Sequence, residues 1–267
     1  MTPLIRNILS RNNVVISGQG EETLVFAHGF GCDQNAWKYI TGAFSPDYKI
    51  VLFDYVGSGK ADHTAYDPLR YNSLNGYAQD ILEICNELEL DNAVFIGHSV
   101  SCMIGALASI KQRSIFKKLV FICPSPRYLN DGDYKGGFEQ EDLDGLFELM
   151  DDDYIKWAHV IAPAIMGNKQ QPALGEELID SFCSMDPEIA KSFARVTFLS
   201  DSRKDIMNIP VKSLTLQCLE DMIVPMEVGN YMKENIPDNT LVILKATGHC
   251  PHMSAPEETI NAIKSFL

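Results

Sequence analysis

The feature that most constrains this chain is a series of short, nearly unbroken apolar runs with helix-period segments between them. The runs are residues 24–27 (LVFA), 50–53 (IVLF), 93–96 (AVFI), 119–122 (LVFI), 214–218 (LTLQC) and 241–244 (LVIL). A strand with one face in water alternates apolar and polar residues; these do not, so they read as strands covered on both faces, as in a parallel sheet. Between the second and third runs, Leu74, Tyr77, Ala78, Ile81, Leu82, Cys85 and Leu88 form one helical stripe, with Ser73 placed to cap it. Further helices are predicted directly after Ser99, after Pro225, and from Pro256 to the C-terminus. Strands alternating with helices imply an α/β fold, a mostly parallel sheet with right-handed crossovers and helices on its flanks.

The alternation breaks between residues 125 and 208. Leu143, Leu146, Phe147 and Met150 recur at helical spacing amid acids, followed by Tyr154, Trp157, Ile161, Leu178, Phe182, Met185, Phe193 and Phe198. This stretch is too apolar for a linker and reads as a helical insertion between two sheet strands. The expected organisation is a core from residues 1–124 and 209–267, with a cap at 125–208 over the strand ends.

A chain of 267 residues buries roughly three quarters of the surface it exposes when unfolded, so a core needs no covalent staples. The net charge of −14 repels phosphate backbones and acidic membranes, which argues against nucleic acid or membrane partners. No apolar run reaches the roughly 20 residues of a membrane span. Residues 1–10 lack the basic start and apolar centre of a secretory signal. The seven cysteines are scattered, odd in number and without a CxxC pair, as expected of reduced thiols in a cytoplasmic protein.

The strongest local motif is GHSVS at residues 97–101. It follows a predicted strand and precedes a predicted helix, the context that a nucleophile elbow requires. Ser99 is the candidate nucleophile. The usual pattern is G-x-S-x-G, and the last position here is Ser101, a departure but a small residue. A helix N-terminus behind Ser99 presents backbone N–H groups to a developing anion. The competing reading makes Ser99 an ordinary helix cap.

A serine hydroxyl needs a base. His249 follows the last predicted strand in a loop, after Gly248, and is the candidate; His252 is its rival. The third group should fix the imidazole tautomer. Asp221 sits at the turn after the preceding strand, with Glu220 as the rival acid and helix capping as the alternative role. The order Ser99, Asp221, His249 is the order α/β-hydrolases use. The oxyanion hole would be the N–H groups of Val100, next to the nucleophile, and of Phe30, in the HGFG turn after the first predicted strand. GSGK at 57–60 lacks Walker spacing and reads as a turn. No metal-ligand spacing emerges, and the chemistry needs no cofactor.

The segments HGFGCDQ (28–34), FDYVGSG (53–59), GHSVS (97–101), PSPRYLND (124–131) and GHCPHMS (248–254) together resemble the RsbQ-like subfamily of the α/β-hydrolase superfamily. That subfamily includes a bacterial stress regulator and the plant karrikin and strigolactone receptors, and the resemblance spans nearly the whole chain. Plant members share the serine at the Ser101 position. The resemblance implies a four-helix cap over a largely apolar pocket, lined by Phe30, Phe138, Trp157 and Phe198. Each of these aromatics could instead be plain core packing, since pockets and cores use the same residues. It also implies either an ester or lactone hydrolase for a small apolar substrate, or a ligand-binding signalling protein with slow turnover. The signalling partner would be a PAS-domain phosphatase that activates a general stress sigma factor. Peroxidase-like or C–C-cleaving chemistry on the same fold is a weaker third reading.

Overall fold

The structure, a computed structural model, describes residues 7–267. Seven strands form one sheet: β1 (Val15–Gly18), β2 (Thr23–Ala27), β3 (Lys49–Leu52), β4 (Ala93–His98), β5 (Phe116–Ile122), β6 (Lys212–Glu220) and β7 (Asn239–Thr247). Their spatial order is β1-β3-β2-β4-β5-β6-β7. Every neighbouring pair is parallel except β1, which runs antiparallel to β3 at the edge. The six apolar runs are β2 to β7. β1 was not among the expected strands because it carries no buried run; all four of its residues are exposed.

The apolar runs of β2 to β6 bury both faces; β7, at the sheet edge, does not, and its Ile243 is 41% exposed, against the expectation of a strand covered on both sides. Val25, Phe95, Leu119 and Phe121 join one core cluster. Their neighbours Leu24, Phe26, Val94, Ile96, Val120 and Ile122 join the cluster on the other side. Burying each such side chain contributes about 1.5–3 kcal/mol.

The helices are α1 (Ile8–Arg11), α2 (Leu74–Glu87), α3 (Val100–Lys111), α4 (Gln140–Asp152), α5 (Tyr154–Met166), α6 (Pro172–Cys183), α7 (Pro187–Phe198), α8 (Arg203–Ile206), α9 (Met226–Asn235), α10 (Pro251–Ser254) and α11 (Pro256–Phe266). Buried residues of α2, α3 and α9 belong to the first cluster, and Ile260 and Ile263 of α11 to the second, beside Trp37 and Phe44. Ser73 occupies the cap position of α2, but its hydroxyl makes no capping bond; the buried stripe, not the cap, holds this helix.

Helices α4 to α8 all fall between β5 and β6. Ile165 from α5, Leu178 and Phe182 from α6, and Thr197 and Phe198 from α7 come together over the C-terminal ends of β4 and β7. Among the described residues, no helix is long and apolar enough to cross a membrane.

Candidate active site

β4 ends at His98 and α3 begins at Val100, so Ser99 alone makes the turn. Its backbone sits at φ 56°, ψ −126°, a conformation that costs a non-glycine residue about 1–3 kcal/mol. Two bonds hold it there: Ser99 N–H donates to Ile122 O at 2.9 Å, and Cys102 N–H donates to Ser99 O at 3.0 Å. The turn folds so tightly that a Cβ on Gly97 would lie 2.9 Å from the Ser101 carbonyl. Ser99 occupies the helix cap position, yet its hydroxyl makes no capping bond. It meets His249 Nε2 at 2.9 Å instead, which removes the capping interpretation.

His249 Nδ1 lies 2.7 Å from Asp221 Oδ2. A carboxylate only accepts, so Nδ1 carries the proton and Nε2 is left to accept from Ser99. Asp221 Oδ1 accepts from the N–H groups of Ile223 (2.8 Å) and Val224 (3.1 Å), which fixes the carboxylate plane. Both side chains are shielded, at 5% exposure for His249 and 0% for Asp221.

The rivals stand elsewhere. Glu220 is exposed, and its carbonyl accepts from Gly248 N–H at 2.7 Å. The His252 ring packs between Trp37 and His98, with centroids 4.6 and 4.4 Å away. Burial pushes its pKa down to about 3, so it is a neutral core residue.

All three residues leave the C-terminal ends of parallel strands, where open α/β sheets place their sites. β2 pairs with β3 on one side and β4 on the other, with Ala27 opposite Gly97. That register sets the loop carrying Phe30 beside the elbow. Val100 is the first residue of α3, and an N–H there has no intrahelical acceptor.

A small, tight cavity of about 30 Å³ lies above Ser99 and His249. Phe30 and Phe198 wall it, with Tyr128, Leu178 and Phe182. Trp157 and Phe138 do not. Trp157 stands behind the wall, 6.2 Å from the Phe30 ring and 5.1 Å from that of Phe182, and Phe138 packs 5.8 Å from Phe198. Three of these five wall residues escaped the sequence reading as site residues. Leu178 and Phe182 project from α6 with the spacing of any core residue. Tyr128, whose hydroxyl is 3.4 Å from Ser99 Oγ, lies in the irregular PSPRYLND segment, which only the family resemblance marks.

Cys123, Asp221 and His249 place ligand-type atoms within 4.8 Å of one another. They do not suit a metal. Both Asp221 oxygens are engaged, and burial raises the Cys123 thiol well above its usual pKa, whereas a metal needs the thiolate.

The fold and this strand-end site define a class. The chain belongs to the Alpha/beta hydrolase family, whose profile matches residues 24–262. Within it, the chain is 40% identical over 250 residues to "Karrikin insensitive 2 receptor CA" of Petunia hybrida, covering 93% of each protein. It is 38% identical to "Strigolactone esterase D14" of Arabidopsis thaliana, covering 98% of each. A solved hydrolase from Oleispira antarctica superposes with a TM-score of 0.95 at 43% identity, over 97% of this chain and 96% of that one.

Proposed function

We propose that this protein is a serine hydrolase that cleaves a small, largely apolar ester or lactone. The observation that carries the reading is the hydrogen-bonded line from Ser99 Oγ to His249 Nε2 (2.9 Å) and from His249 Nδ1 to Asp221 (2.7 Å) under an apolar cavity. Ser99 Oγ attacks the carbonyl carbon while its proton passes to His249 Nε2. The N–H groups of Phe30 and Val100 hold the oxyanion of the tetrahedral intermediate. His249 then protonates the leaving oxygen, the C–O bond breaks, and an acyl group remains on Ser99. Water, deprotonated by His249, releases it and restores the serine. Asp221 keeps the imidazole in the required tautomer and stabilises its positive form. Phe30 and Phe198 contact the substrate directly, and Trp157 and Phe138 shape the wall from behind.

The test is turnover of p-nitrophenyl acetate together with labelling by a fluorophosphonate. Wild type hydrolyses the ester and gains one adduct on Ser99; Ser99→Ala does neither. Equal turnover by wild type and Ser99→Ala would overturn the reading.

A second reading concerns the use of this chemistry. The cavity is only about 30 Å³, so a substrate-sized ligand requires the covering helices to move, and α5 is bonded directly to the His249 loop. Both features suit an RsbQ-like signalling protein in the cytoplasm that reports ligand turnover to a PAS-domain phosphatase upstream of a stress sigma factor. The names of the plant relatives, one a receptor and one an esterase, support the pairing of binding with hydrolysis. Chromosomal Ser99→Ala abolishes the stress response on this reading; an intact response would refute it.

A further inference from the structure

The elbow departs from its usual pattern at Ser101, and the structure gives that serine a partner. Ser101 is fully buried. Its Oγ lies 2.5 Å from the carbonyl oxygen of His28 and 2.8 Å from the hydroxyl of Tyr55. A carbonyl only accepts, so the Ser101 proton goes to His28, and Tyr55 must donate to Ser101. The result is a one-way chain, Tyr55 O–H to Ser101 O–H to His28 C=O, in which each bond polarises the next.

His28 continues the chain into the oxyanion loop. Tyr55 N–H donates to His28 Nε2 at 3.2 Å, which leaves the ring proton on Nδ1. That Nδ1 lies 2.9 Å from the carbonyl of Gly29. Cys32 N–H donates to the same carbonyl at 3.2 Å. The Gly29 carbonyl and the Phe30 N–H belong to one peptide unit. In a trans peptide they point in opposite directions, and the described residues contain no cis peptide. Two donors on the carbonyl therefore aim the Phe30 N–H and strengthen it as a donor. The preceding peptide, His28–Gly29, is held by Ser101.

We propose that Ser101 is a positioning residue for the oxyanion hole, acting with Tyr55 and His28 to fix the two peptides that orient Phe30 N–H. The inference rests on the hydrolase reading above. Glycine, the usual residue at this position, has no hydroxyl and would leave the His28 carbonyl to find another donor.

The test compares wild type, Ser101→Ala, Tyr55→Phe and the double variant on p-nitrophenyl acetate and on butylboronic acid. The boronate forms a tetrahedral adduct with Ser99 and so reports on the oxyanion hole. Removing an oxyanion donor outright costs about 100- to 1,000-fold in kcat; mis-aiming one should cost about 10- to 100-fold. Ser101→Ala is expected to lose that much kcat, with KM within about threefold and boronate affinity falling in step with kcat. Tyr55→Phe keeps the bond to His28 and loses less. The double variant removes both hydroxyls, so no buried Tyr55 O–H is left unpaired and its Tm recovers relative to Ser101→Ala, while kcat stays low. A Ser101→Ala protein with kcat and boronate affinity within about twofold of wild type overturns the proposal. So does a double variant that regains kcat along with Tm, because the role would then be structural only. A wild type inert toward both probes would refute the hydrolase reading and this proposal with it, which is a different result from a working wild type with an unaffected Ser101→Ala.

Discussion

The backbone amide of His249 donates to the carbonyl of Ile165 at 2.9 Å, so the proposed catalytic histidine hangs from the last turn of α5. Asn168 reinforces the junction, its Nδ2 donating to Met166 O at 2.7 Å and to Thr247 O at 2.9 Å. The helices inserted between β5 and β6 and the loop after β7 thus share one hydrogen-bonded seam, and the covering helices and His249 cannot move independently.

The seam gives a graded prediction. Asn168→Ala removes three part-buried bonds, the third from Thr247 Oγ1 to Asn168 Oδ1, and should cost about 1–3 kcal/mol of stability, with a several-fold drop in kcat. Gly248→Ala should be worse. Gly248 sits at φ +83°, and a Cβ there would lie 1.9 Å from Met166 O, so the loop must shift and carry His249 with it. Urea unfolding and ester turnover measured on both variants check the order; a harmless Gly248→Ala would refute it.

Asp221→Asn should preserve the fold and remove most activity. The amide would keep the Oδ1-side bonds to Ile223 and Val224 if its oxygen faces them, but would turn an N–H₂ toward Nδ1. The imidazole then adopts the wrong tautomer, an effect worth about 10,000-fold in the best-studied serine protease. Steady-state turnover beside an unchanged Tm is the expected outcome.

Ser99 stores backbone strain, and stability measurements can expose it. Ser99→Gly relieves a φ of 56° that Ser99→Ala retains. Allowing for the extra entropy of glycine in the unfolded chain, Ser99→Gly should unfold about 1 kcal/mol later than Ser99→Ala. Chemical denaturation of the two inactive variants decides it.

Three buried histidines make the protein acid-sensitive. Burial lowers the pKa of His28, His98 and His252, the last to about 3. Each stays neutral in the native state but takes a proton in the unfolded chain below the ordinary value of 6.5. Stability is therefore fully present above pH 6.5 and is lost as pH falls, by up to about 1.4 kcal/mol per pH unit for each histidine. Asp80, whose carboxyl burial pushes up, acts in the opposite direction. The urea midpoint should drop clearly between pH 7.5 and 5.5, and the slope should be shallower in His252→Asn.

Phe182 narrows the proposed substrate site. Its ring packs 5.4 Å from Phe30 and walls the tight cavity. Phe182→Leu should raise kcat/KM for butyrate and hexanoate esters relative to acetate. Phe182→Ala should do so more strongly, at a cost of about 3–5 kcal/mol in stability. An unchanged chain-length profile in a folded variant would remove Phe182 from the substrate wall.

Much of this was legible in the chain itself. Both-face burial wrote β2 to β6 into nearly unbroken apolar runs, because a central parallel strand has no wet side to record. The elbow and the order of Ser99, Asp221 and His249 were also readable, since each follows a strand and local sequence encodes strand ends. What the sequence alone could not decide was anything set by the meeting of distant segments. β1 went unread because its apolar stretch, Val14 to Ile16, is short and Val15 and Ile16 stay exposed at the sheet edge. That Asp221 rather than Glu220 bonds to His249, and that His249 rather than His252 faces Ser99, follows from the direction each side chain takes on leaving its strand. Phe182 and Tyr128 reach the cavity, and Trp157 and Phe138 stop short of it, although all four are aromatics in the same insertion. Those outcomes depend on packing between α5, α6, α7 and the strand ends, a relation between elements far apart in the chain that no local spacing carries.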